Sequence, residues 1–107
     1  MKKTAQLCLL TLLALFMSVL SASAQDGEKL YIYKFCVTCH GQKGISMAPN
    51  YPNLARQNER YLINQVKDII AKKRANKLTL LMTEHPVVIS ISDEEIAAVA
   101  AYMNSIK

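Results

Sequence analysis

The chain has 107 residues, 51% of them hydrophobic, and carries a formal charge of +5. That length allows one domain, and with no internal repeat or low-complexity tract it excludes a solenoid or a disordered linker. The densest basic cluster, Lys72-Lys73-Arg74 with Lys77 close behind, has no interleaved aromatic residue to stack on bases, so a nucleic-acid-binding role is set aside.

The first 24 residues read as a signal peptide. Lys2 and Lys3 form a positive start, residues 7–20 are apolar except for Thr11 and Ser18, and Ala22-Ser23-Ala24 supplies the small residues of a cleavage site. The apolar run is short for a membrane span, so cleavage after Ala24 and export are expected, with membrane association only if the segment is retained. Cys8 reads as one more apolar residue of the discarded part. Removal of Lys2 and Lys3 lowers the charge to +3 and leaves a domain of residues 25–107. A chain this small closes an apolar core only marginally without a cofactor or cross-link. Its two remaining cysteines, Cys36 and Cys39, are too close for a disulfide to contribute much.

Three helices are expected in the domain. The first covers residues 27–36 with Asp26 as N-cap. The second covers 59–73, where Leu62, Val66, Ile69 and Ile70 share a face that Tyr61 can join, with Arg60, Asn64, Lys67 and Lys72 outward. The third opens with a capping box, Ser92 at the N-cap and Glu95 three residues on, and buries Ile96, Val99, Ala100 and Met103, flanked by Tyr102 and Ile106. Long loops over 41–58 and 75–91 separate them, and the β-branched run 87–91 reads as extended chain. The fold class is therefore all-α, with loops long enough to carry function.

Cys36-Val37-Thr38-Cys39-His40 is an attachment sequence for c-type haem. Two thiols three positions apart lie on one side of a helical turn, where each can add to one vinyl group of the same porphyrin, and the following histidine is carried over the ring to the iron. Competing readings are weaker. A thioredoxin-like dithiol needs a βαβ context. A structural zinc site would need Cys36, Cys39, His40 and His85 together, every candidate the domain has. For the second iron ligand, a methionine is the usual partner of histidine in electron-carrying cytochromes. Met103 falls on an apolar helix face and Met47 lies only seven residues after His40, whereas Met82 sits in a loop with the reach to cross the other haem face. His85 competes with it.

These residues resemble the class I c-type cytochromes, in particular the small bacterial periplasmic ones related to tandem-domain dihaem carriers. The likeness covers nearly all of residues 25–107: the attachment site over 36–41, the loop over 46–55, Arg60-Tyr61-Leu62 with Gln65, and the helix over 93–102. It implies the class I cytochrome c fold, three main helices and long loops around one covalent haem. It also implies that the 46–55 loop packs on the proximal haem face and that a carbonyl within Pro49 to Pro52 accepts the Nδ1 proton of His40. Arg74, eight residues before Met82, fits the family's spacing to a distal methionine, although the stretch from Met82 to Ser92 is about two residues longer and contains His85-Pro86. The implied function is a periplasmic one-electron carrier with a single haem c on Cys36 and Cys39, ligated by His40 and Met82. It would act on no small-molecule substrate, would not be an enzyme, and would serve redox partner proteins with acidic surfaces. The alternative is a haem-based sensor, or the haem subunit of a periplasmic oxidoreductase, with a labile distal site or with His85 as ligand.

Overall fold

The computed structural model describes residues 1–8 and 23–107. Residues 2–8 are helical and exposed, and the heart of the expected export signal, residues 9–22, lies outside the described residues. Helix α1 covers Ser23–Tyr33. It starts earlier than expected, so Asp26 is inside the helix and is not its N-cap. It also stops short of Cys36, because Phe35 takes a left-handed conformation (φ 61°) that ends one helix and opens the next. That next helix is α2, Cys36–His40, followed by a 3₁₀ turn at Gln42–Gly44.

Helix α3, Glu59–Ile70, begins where the Asn58 side chain accepts the Tyr61 N–H. It ends before the expected Lys73 because Lys72 turns left-handed (φ 57°). The Lys72 N–H then reaches the Ile69 carbonyl at 3.0 Å and the Lys73 N–H the Asp68 carbonyl at 2.8 Å, a Schellman closure.

The expected loop over 75–91 is instead largely helical. Asn76 accepts from the Leu78 and Thr79 N–H groups while its own N–H donates to the Thr79 hydroxyl, a capping box that starts α4, Lys77–Thr83. Pro86 then stands at the first turn of α5, Pro86–Ile89, so the run expected to be extended is a single helical turn. Helix α6, Asp93–Ser105, opens on the expected capping box: the Glu95 N–H donates to Ser92 Oγ at 3.2 Å and the Ser92 N–H to Glu95 Oε2 at 2.8 Å. Among the described residues there is no strand.

Helices α1 and α6 make the central crossing. Gly27 permits it, since a Cβ there would collide with the Ala98 carbonyl oxygen and lie 2.8 Å from Tyr102 Cβ. Tyr31, Leu62, Ala100 and Met103 form the buried centre, with Cys36, Val37, Leu54 and Tyr102 packed around it. Tyr61, by contrast, is half exposed and does not join the buried face of α3. Two ion pairs bind the start of α6 to its neighbours, Lys34 Nζ to Glu95 at 3.1 Å and Lys67 Nζ to Asp93 at 3.0 Å. The loop before α3 is anchored to the end of α6 by the Arg56 N–H on the Met103 carbonyl (2.8 Å) and by Asn104 Nδ2 on the Gln57 carbonyl (2.9 Å).

Candidate haem site

Three of the candidate residues, Cys36, Cys39 and His40, share α2. Cys36 and Cys39 are one turn apart and are not joined as a disulfide. Cys36 is partly buried and burial pushes its thiol up to about 11, which keeps it protonated at neutral pH, while Cys39 is exposed. Gly41 closes the helix, its N–H on the Val37 carbonyl.

His40 Nδ1 lies 2.9 Å from the carbonyl oxygen of Pro52, twelve residues away in the chain. A carbonyl only accepts, so Nδ1 carries the proton and Nε2 keeps its lone pair, the form in which imidazole binds a metal. Burial lowers the His40 pKa, with the Pro52 carbonyl acting in the opposite sense, and this favours the neutral ring. Pro49 is exposed and lines a shallow concavity of about 330 Å³ with Met47, Tyr51 and Asn53.

Two side chains that hold this loop have no signal in helical periodicity. The Ser46 hydroxyl lies 3.2 Å from the Cys39 carbonyl and accepts the Ala48 N–H, while the Ser46 N–H donates to Asn53 Oδ1 at 2.8 Å. Serine and asparagine beside prolines mark a side-chain-capped turn, a cue that locates the turn without naming its partners.

Of the other candidates, Met103 is fully buried in the core and Met47 fully exposed. Met82 is half-buried on α4, whose Leu78, Leu80 and Leu81 are each more than 40% exposed. His85, at the N-cap of α5, is exposed and its ring packs on Phe35 with centroids 5.1 Å apart. This contact brings the segment carrying Met82 and His85 alongside the residue that precedes Cys36. Among the described residues no three of the His, Cys, Asp and Glu side chains gather as a metal cluster, so the four-ligand zinc arrangement does not form.

The donors suit a covalently held haem: two thiols one helical turn apart and not joined as a disulfide, and a neutral imidazole with Nε2 available. An all-α fold that wraps such a turn defines a c-type haem protein. A family model described as Cytochrome c matches residues 24–107, and the chain belongs to that family, with covalently bound haem c and its iron as cofactor.

The chain is 45% identical to cytochrome c4 of Pseudomonas aeruginosa over 73 residues, covering 67% of this chain and 33% of that one. It is 43% identical to cytochrome c-554(548) of Halomonas halodenitrificans over 70 residues, 65% of this chain and 82% of that one. It is 34% identical to the thiosulfate dehydrogenase electron acceptor of Stutzerimonas stutzeri over 71 residues, 66% of this chain and 32% of that one. The chain thus spans about a third of the cytochrome c4 it matches and about four fifths of the cytochrome c-554(548).

Proposed function

We propose that the protein is a periplasmic one-electron carrier with a single haem c, bound through Cys36 and Cys39 and ligated by His40 Nε2 and Met82 Sδ. The observation that supports this reading is the His40–Pro52 hydrogen bond, which leaves the Nε2 lone pair free for a metal and restrains the ring. Bound haem supplies a one-electron iron(III)/iron(II) couple. The Pro52 carbonyl makes the imidazole a stronger donor. A neutral thioether and the leucines of α4 disfavour the extra charge of ferric iron, which raises the potential relative to solvated haem. If His40 and Met82 both held the iron, no coordination site would remain for a substrate, which favours a carrier over an enzyme or a gas sensor.

Residues 1–24 direct export in this reading, with cleavage after Ala24, and no helix among the described residues is long and apolar enough to cross a membrane. The partners are redox proteins, and one relative is itself named as an electron acceptor. Lys72, Lys73, Arg74 and Lys77 are all exposed, which favours partners with acidic surfaces.

Denaturing mass spectrometry and visible spectroscopy of purified holoprotein test the proposal together. The expected result is polypeptide plus one haem, with a low-spin spectrum unmoved by carbon monoxide. Rapid carbon monoxide binding would replace the carrier with the sensor or oxidoreductase-subunit reading.

A further inference from the structure

Tyr31 and Met103 are the largest fully buried side chains among the described residues. Phenylalanine would fill nearly the same space at position 31 with no polar atom to satisfy, so the buried hydroxyl requires a partner. Its partner lies outside its own helix: Tyr31 Oη donates to the Gly41 carbonyl oxygen at 2.7 Å. The Gly44 N–H reaches the same oxygen at 3.2 Å, and the Gly41 N–H donates to the Val37 carbonyl at 3.0 Å. Both peptide planes flanking Gly41 are thereby held. Gly41 follows His40 directly and has a positive φ of 78°, open to few residues other than glycine. Without such restraint a glycine main chain turns easily. On its other side the His40 ring is held by Pro52. Tyr31 itself is fixed in the α1–α6 crossing, edge-on to Tyr102 with centroids 6.0 Å apart. Burial pushes the Tyr31 phenol well above its ordinary range, so it remains a donor at any working pH.

We propose that Tyr31 is a positioning residue for His40: its hydroxyl fixes the Gly41 peptide, so that the imidazole meets the haem iron in one orientation. The inference rests on the reading that His40 ligates that iron. It adds a dependence of the reduction potential on a side chain that touches neither the iron nor its ligand ring.

The test compares wild-type, Tyr31→Phe and Tyr102→Phe holoproteins. Tyr102 shares the helix crossing, but its hydroxyl faces Glu28. Three quantities are read: thermal midpoint, reduction potential, and the hyperfine-shifted ring-proton resonances of His40 in the ferric protein. Tyr31→Phe is expected to shift the potential and the His40 resonances together, whereas Tyr102→Phe moves only the midpoint. A Tyr31→Phe protein with a lower midpoint but wild-type potential and resonances would reduce the hydroxyl to a structural role and overturn the proposal. If Tyr31→Phe yields no holoprotein, 3-fluorotyrosine at position 31 keeps the ring and makes a stronger donor. The same two readouts must then move, and their constancy overturns the proposal. A His40→Ala holoprotein with an unaltered low-spin spectrum would instead remove the ligation reading, and this inference with it.

Discussion

The imidazole of His85 rests on the ring of Phe35, tilted by 39° with centroids 5.1 Å apart. Phe35 is the left-handed residue between α1 and α2, and Pro86 holds the His85 backbone extended at the N-cap of α5. His85 is therefore engaged by a neighbour of the attachment helix, and Met82, three residues earlier, is the distal donor proposed above. Met82→Ala should abolish the sulfur-to-iron charge-transfer band of the ferric protein and lower its potential, while His85→Ala leaves both nearly unchanged. A wild-type spectrum without the band, with iron opened to carbon monoxide by His85→Ala, would assign the ligand to His85.

Gly27→Ala should destabilise the fold. The added methyl group meets the Ala98 carbonyl, a main-chain atom of α6 that cannot swing aside. Overpacking of this kind costs on the order of 1–3 kcal/mol. Thermal unfolding of the holoprotein would register it as a lower midpoint, with an unchanged spectrum if the helices separate slightly without disturbing α2.

Glu95 should make stability acid-sensitive. Its carboxylate is held below the usual range first by the Ser92 N–H of the capping box and then by Lys34. A carboxyl lowered on folding stabilises the protein fully above its unfolded pKa, and this contribution is lost as pH falls through the folded value. Thermal midpoints of wild type should therefore fall more steeply than those of Glu95→Gln from about pH 5 to about pH 3, with the two curves converging at the acid end. Parallel curves would show that this cap does not titrate with folding.

The cluster after α3 should steer association. Lys72 and Lys73 stand on the Schellman turn and Arg74 donates to Gln65 Oε1 at 2.7 Å. Electron exchange with an acidic partner protein should slow by roughly tenfold as salt rises from low to physiological strength. Charge reversal at Lys73 and Lys77 should flatten that dependence. A rate insensitive to salt in the wild type would leave these cations as solvated surface.

Local chemistry is enough to mark the candidate attachment pentapeptide and to predict the last helix. The thiols and the imidazole of residues 36–40 need only one helical turn to face the same way, and the Ser92–Glu95 box closes within four residues. Two short helices escaped the hydrophobic pattern because seven and four residues are too few to show a period. Their signals were the Asn76–Thr79 cap and Pro86. The end of α1 escaped because nothing in the identity of Phe35 announces a left-handed residue, a conformation that costs a non-glycine residue roughly 1 kcal/mol or more and holds only within the surrounding packing. The resemblance located the acceptor of the His40 proton only within Pro49 to Pro52. The loop's own hydrogen bonds through Ser46 and Asn53 present the Pro52 carbonyl. The partnership of Tyr31 with Gly41 had no local trace at all, because a hydroxyl ten residues from its acceptor is aimed there only by the crossing of α1 over α6. The sequence by itself determined which side chains are candidates to hold the haem, since covalent capacity and donor type are properties of single side chains. The tertiary structure alone decided how those atoms are oriented, since each orienting bond joins residues that the chain keeps apart until it folds.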